Sequence, residues 1–279
     1  MAGRKPGVPG RKRGEWAQIL ERGAKIVESY DIPVTLRQLF YRLVSEGQIR
    51  NTRSDYGQLS ARTAEARRLR DFPDLFDGTR TIDRIESYSD PGDALRQLAE
   101  RYALDRTEGQ GYELVIAGEK ATLSGLLWQW FGDLGVPVTA LRGYDSQTHV
   151  DDMADLAKNG RAVRVIYAGD FDASGEDLTR DFVERSGLEL TRIAVLPEHI
   201  ERFNLPPALG KSTDTRAAGF EARHGRLVQV EVEALPPNVL RDLYLEEFNR
   251  WWDPTAYASV LEREAADRNR LVQIAAAAK

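Results

Sequence analysis

The chain has 279 residues, 42% of them hydrophobic, 9% aromatic and 30% charged, which is apolar material for about two domains and excludes wholesale disorder. It has no cysteine, so disulfides, thiolate zinc sites and a cysteine nucleophile are excluded. Three scattered histidines, His149, His199 and His224, leave carboxylates as the ligands for any catalytic metal. No apolar run reaches the roughly eighteen residues of a membrane span. The N-terminus lacks the apolar stretch of a secretory signal, and the chain is expected to be cytoplasmic. The formal net charge of −5 is unevenly placed: residues 1–80 hold sixteen Lys/Arg against ten Asp/Glu, and the remainder is acidic. For nucleic-acid affinity, where basic charge clusters matters more than the total.

Residues 1–14 are basic and rich in Gly and Pro, with Arg11, Lys12 and Arg13 at their end; they read as a flexible arm able to touch DNA. Helical spacing of Trp16, Ile19, Leu20, Ile26 and Val27 predicts a helix over 15–30, broken at Asp31-Ile32-Pro33. Thr35 followed by Gln38 is a capping box that opens a second helix, which runs to about Glu46 and stops before Gly47. A third helix is predicted over 54–70, carrying Arg62, Arg67 and Arg68, followed by Asp77-Gly78 and an extended piece at 79–82. Three helices and a ribbon form the plan of a winged helix, and the third helix would be the DNA-reading element. The expected organisation is an arm (1–14), a winged-helix domain (15–83), a connector (84–110), an α/β domain (111–250) and a C-terminal helix (251–279).

After Gly111 the pattern changes to short apolar strands alternating with helices. Strands are predicted at 114–117, 136–140, 163–168 and 191–196, and a further one at 227–232. This alternation implies a Rossmann-like parallel sheet covered on both faces. In such sheets the ligand site lies at the carboxyl ends of the strands. There the sequence places Gly118-Glu119-Lys120 after the first strand and Gly169-Asp170-Phe171-Asp172-Ala173-Ser174-Gly175 after the third. Residues i and i+2 of an extended segment point the same way, so Asp170 and Asp172 are expected to share a cation with Glu119. Oxygen-only ligands select Mg2+ or Mn2+.

These residues carry a resemblance. Glu119, the segment Arg142-Gly143-Tyr144-Asp145-Ser146 and the Asp170–Gly175 run are similar to the Toprim fold, the metal-binding domain of topoisomerases, primases and some nucleases. Thr35-Leu36-Arg37-Gln38-Leu39-Phe40-Tyr41-Arg42 resembles the tyrosine motif of topoisomerase VI A subunits and of the meiotic double-strand-break transesterase. Val230–Pro237 resembles a later segment of the same family. The likeness spans about residues 15–250, with Ala173 and Asp145 standing where that family commonly has Pro. On the helix itself, Leu36, Leu39, Phe40, Leu43 and Val44 form the inward stripe, which leaves Tyr41 at its margin one turn after Arg37.

The resemblance implies a double-strand-cleaving transesterase. Tyr41 would attack a DNA phosphate to form a 5′ phosphotyrosyl ester, Arg37 or Arg42 and Lys120 would hold the phosphate, and Mg2+ would sit on Glu119, Asp170 and Asp172. It further implies a homodimer in which each chain contributes half a site. No Gly-x-x-x-x-Gly-Lys-Ser/Thr motif is present, so strand passage would need a separate ATPase subunit. Two alternatives stand beside it. One is a hydrolytic Toprim nuclease of the plasmid-defence kind, with Glu231 or Glu233 assisting the metal. The other is a DNA-binding protein without catalysis.

Overall fold

The computed structural model describes residues 13–76, 85–141, 147–209 and 214–277. The motif at 142–146, the predicted ribbon at 79–82, and Arg11 and Lys12 lie outside them; Arg13 opens the first helix. The N-terminal part is three helices: α1 (Arg13–Glu28), α2 (Leu36–Ser45) and α3 (Arg53–Arg68). The capping box forms as expected: the Gln38 N–H donates to Thr35 Oγ1 at 3.2 Å, and the Thr35 N–H donates to Gln38 Oε1 at 2.9 Å. Trp16, Ile19, Leu39, Leu43 and Leu59 are buried where these helices meet.

The α/β part follows α4 (Pro91–Arg101), which starts where Asp90 caps it and Pro91 supplies a helical φ. Strands β1 (Tyr112–Gly118), β2 (Val138–Ala140), β3 (Ala162–Ala168) and β4 (Glu189–Ala194) form one sheet in the order β2-β1-β3-β4, every pairing parallel. Leu114 and Ile116 of β1 pack on Leu123, Leu127 and Phe131 of α5 (Ala121–Phe131), and with Leu240 and Tyr244 of α10 (Pro237–Asn249). Val115 and Ala117 face the other way, toward Val150 and Met153 of α6 (Gln147–Asp155) and Leu178 and Phe182 of α7 (Ala173–Ser186). Alternation along a strand thus fills both layers, as near-continuous apolar strands require. The core that includes Leu114 and Ile116 also includes Trp16 and Leu39, so the helical part and the sheet share one apolar interior.

The helix after β1 starts at Ala121, which leaves Glu119 and Lys120 in the turn, and α7 starts at Ala173, capped by Asp172. Strand bounds also differ from those expected: β2 begins at Val138 rather than at 136, and β4 spans Glu189–Ala194 rather than 191–196. The strand expected over 227–232 shrinks to β6 (Val228–Gln229), paired antiparallel with β5 (Ala208–Leu209). Residues 232–234 form a short 3-10 turn instead. The chain there leaves the ladder to lie across the end of β3, where Phe171 and Val230 exchange backbone hydrogen bonds of 2.8 and 3.0 Å.

Short helices α8 (Pro197–Arg202) and α9 (Ala217–His224) follow β4, and α11 (Pro254–Ala277) ends the described chain. Among the described residues, no helix is long and apolar enough to cross a membrane. α11 packs along α4, and the buried Glu264 joins it to the segment before β1. That carboxylate accepts from the Leu104 N–H at 3.0 Å, Arg106 Nη2 at 2.7 Å and Arg268 Nη2 at 2.8 Å. Glu264→Ala would strand the largely buried Arg106 guanidinium and is expected to cost about 3 kcal/mol. Urea unfolding measures this, and a change below about 1 kcal/mol would show that the clamp is not structural.

Candidate active site

β1 leads sideways to β2 and, on its other flank, lies against β3, so the strand order reverses between β1 and β3. That is the crevice where open α/β sheets bind ligands. The register pairs Gly118 with Ala168, so Glu119 and Gly169-Asp170 leave the sheet side by side. Glu119 Oε2 accepts the Asp170 N–H at 2.6 Å. A glycine is required at 169: a Cβ there would stand 2.2 Å from the Tyr167 hydroxyl and 2.9 Å from Glu119 Oε2. At 175 a Cβ would stand 2.4 Å from the Asp170 carbonyl oxygen, so the loop closes this tightly only over glycine.

Arg192 of β4 staples this loop, donating to the Gly169 carbonyl from Nη2 and to the Gly175 carbonyl from Nη1, each at 3.1 Å, and also to the Asp170 carbonyl. Sequence reasoning missed it. Its one signal was an arginine two residues before the buried end of a strand.

The segment laid over the end of β3 brings Glu231 and Glu233 to the same place. The Val232 N–H donates to Asp170 Oδ1 at 2.9 Å. Lys120 Nζ lies between three carboxylates, 2.9 Å from Asp170 Oδ2, 3.1 Å from Glu231 Oε2 and 3.5 Å from Glu233 Oε2. From the helical part, Arg37 Nη1 donates to the same Glu231 Oε2, and its Nε is 3.5 Å from Glu233 Oε2. The Tyr41 phenol faces Glu231, and the two groups act on each other's charge state. Tyr41, Arg37, Lys120, Glu231, Glu233, Asp170 and Glu119 therefore form one connected network within one chain. The cause is the shared apolar core, which fixes α2 against the 232–234 turn.

Burial sets the electrostatics. It pushes the Glu119 carboxyl up from 4.5 to about 7, with the neighbouring Asp170 charge adding to the shift. Asp170 and Glu233 are also raised, mainly by burial. Burial opposes the charge of Glu231 as well, but Lys120 and Arg37 outweigh it and hold that carboxyl below its ordinary value. Burial works against the Lys120 ammonium, and Asp170, Glu233 and Glu231 more than restore it. The Tyr41 phenol is pushed well up by burial and then by Glu231, so it is neutral at physiological pH.

Asp172 caps its own helix with one oxygen: its Oδ1 accepts from the Gly175 N–H at 2.7 Å and Ser174 Oγ at 2.9 Å, and its charge acts on Glu119. Among the described residues, no three carboxylate or imidazole side chains are gathered as a metal ion would need. Arg42 turns toward Glu46, 3.8 Å away, and does not join the network. Arg62 lies over the Trp16 ring, 5.0 Å from its centroid, and Arg67 Nε donates to the Thr63 carbonyl at 3.3 Å. Arg68 is exposed at the end of α3.

A pH dependence follows from Glu119. A carboxyl whose folded pKa of about 7 exceeds its ordinary 4.5 binds its proton more tightly when folded. Its contribution is thus present at low pH and is lost as pH rises from about 4.5 through 7. Between pH 5 and 8 the metal-free protein is expected to lose about 2.5 kcal/mol more than its Glu119→Gln variant, in urea unfolding at each pH. Equal slopes in the two proteins would contradict this.

No family model matches the chain, and no curated protein matches it. Among solved structures, the chain is similar to one in the crystal structure of fission yeast Ccq1 and Tpz1. Identity is 12% over 88% of both chains, with a TM-score of 0.22, a likeness too low to carry an argument.

Proposed function

We propose that this chain is a DNA-cleaving enzyme of the topoisomerase VI A-like kind, in which Tyr41 is the nucleophile and α1–α3 belong to a winged-helix-type DNA-binding unit. One observation carries the reading: Tyr41 and Arg37 of α2 reach into the network formed by the carboxylates at the ends of β1 and β3. A nucleophile, phosphate-binding cations and acidic groups thus share one centre.

The donor types, all carboxylate oxygens, are those a hard divalent cation takes, although among the described residues the side chains are not gathered around one point. Glu119, Asp170, Asp172, Glu231 and Glu233 outnumber Arg37 and Lys120, and the Asp170 and Asp172 charges add to burial in raising the Glu119 carboxyl. Glu119, Asp170 and Asp172 would hold Mg2+ or Mn2+, with both of the Asp172 cap bonds falling on Oδ1 alone. The ion would stabilise negative charge on the phosphate during the reaction.

The protein's own groups do the rest. Arg37 and Lys120 position the phosphate, and the phenol proton passes to water or to the Glu231 carboxylate once that has moved to the solvent side of the two cations. The Tyr41 oxygen bonds to phosphorus as the bond to the 3′ oxygen breaks, and the energy of the DNA linkage is kept in a phosphotyrosyl ester. Cutting both strands takes two such centres, so the working form in this reading is a homodimer, and strand passage would need an ATPase partner.

A second reading has an observation of its own. Tyr41 is only 8% exposed and its phenol is held neutral, which favours water as the nucleophile with Glu231 as base. Supercoiled plasmid incubated with Mg2+ or Mn2+ and stopped with detergent separates the two. Linear DNA with protein on its 5′ ends, freed by protease, is the expected result. Free ends without protease would move the assignment to a hydrolytic nuclease, and tight binding without cutting by either ion to a DNA-binding protein.

A further inference from the structure

We propose that Arg37, Lys120 and the Tyr41 hydroxyl form a binding site for a phosphodiester oxygen, and that Glu231 fills this site itself until nucleic acid displaces it. One carboxylate oxygen, Glu231 Oε2, is shared by Arg37 Nη1 from α2 and Lys120 Nζ, at 3.1 Å, from the turn after β1. The Tyr41 phenol faces the same carboxylate. An oxyanion held by a guanidinium and an ammonium beside a hydroxyl is the environment that recognises a phosphate oxygen. Its single negative charge equals that of a phosphodiester, so exchange of one for the other keeps the charge balance of the network.

The two neighbouring acids differ in their freedom to leave. Glu233 lies under the same two cations with its side chain 2% exposed, and its Oε1 accepts from Thr122 Oγ1 at 3.2 Å. The Glu231 side chain is 24% exposed, on the solvent side of the cations, and can swing outward. Glu233 and Asp170 therefore hold Arg37 and Lys120 in place when Glu231 departs. The free protein is latched: α2 is tied through Glu231 to the sheet, and Tyr41 is covered until a phosphate competes successfully. Exposure of the nucleophile is thereby coupled to binding of a nucleic-acid backbone.

The nucleic-acid identity of the ligand rests on the function proposed above; the phosphate site and its internal occupant do not. Inorganic phosphate binding, read by isothermal titration calorimetry at constant ionic strength, tests them. If Glu231 fills the site about nine-tenths of the time, Glu231→Gln should tighten phosphate about 10-fold. Glu231→Asp keeps the charge but is one methylene too short to bridge both cations, and should tighten it about 3-fold or more. Glu246→Gln on the exposed face of α10 removes the same charge elsewhere and should change affinity less than about 2-fold, because a remote exposed charge is screened by salt.

Circular dichroism establishes that each variant is folded, and Glu231→Asp alone decides the matter if Glu231→Gln is not. Phosphate affinity in the Glu231 variants no higher than in Glu246→Gln, or no binding in any protein, overturns the proposal. An uncut plasmid together with tighter phosphate binding by the variants would sink the cleavage reading and leave the site standing. A cut plasmid with unchanged phosphate affinity would do the reverse.

Discussion

Replacing Tyr41 by phenylalanine is expected to reduce protein-linked DNA ends by at least about 1,000-fold, since no other group would supply the attacking oxygen of the ester. The substitution removes a single hydroxyl. Its ring packing against Phe40, at a centroid distance of 5.2 Å, is kept, and Glu231 retains both Arg37 and Lys120. The expected stability cost is therefore about 1 kcal/mol, the usual worth of one hydroxyl's polar contact. This separation of a large functional loss from a small structural one makes the experiment decisive. Asp170→Asn run in parallel should also abolish cutting, through the acidic centre. If cutting with free ends survives Tyr41→Phe and is lost only in Asp170→Asn, the nucleophile is water. If protein-linked ends survive Tyr41→Phe, another residue carries the ester.

The second large effect is on stability. Lys120→Met should destabilise the fold by about 3 kcal/mol, because one ammonium serves three carboxylates, two of them deeply buried. The side chains of Asp170 and Glu233 are 7% and 2% exposed, and neither can reach bulk water when the cation is gone. Methionine fills most of the volume, so the loss reports charge rather than a cavity. The sign with pH is defined. Without Lys120 the folded-state pKa values of these acids rise further above their unfolded values, so the variant binds more protons when folded. Its deficit should be smallest near pH 5 and grow toward pH 8. Urea unfolding at the two pH values measures it, and a deficit independent of pH would mean that Lys120 acts by packing alone.

The α/β layering was legible because it depends on local pattern. Near-continuous apolar strands at 114–117 and 163–168, each followed by an amphipathic helix, leave few alternatives to a parallel sheet. The reversal of strand order at β1 and β3 then puts Glu119 and Asp170 together almost by topology. The i, i+2 spacing of Asp170 and Asp172 does not show a second local use of Asp172, whose Oδ1 caps α7 because Gly175 offers its N–H at 2.7 Å. The strand expected over 227–232 failed for a related reason. Its apolar alternation is satisfied by a backbone pairing of Val230 with Phe171 and a turn at 232–234, and no local pattern reveals which segment crosses which.

The sequence by itself therefore determined which residue types stand at the ends of which elements: the capping box of α2, and the acids and lysine after β1 and β3. Each follows from interactions a few residues long, so each can be read one segment at a time. The stripe of α2 is rotated from its expected place, with Tyr41 buried and Leu36 and Val44 half-buried. Tertiary structure alone decided that Glu231 would be the meeting point of Arg37, Lys120 and Tyr41. Arg37 and Glu231 lie 194 residues apart. They meet because burial of Trp16 and Leu39 in the same interior as Ile116 and Tyr244 presses α2 onto the segment after β6. Burial in that shared core then sets the charge states of the site, raising Glu119 and Asp170 while two cations hold Glu231 ionised.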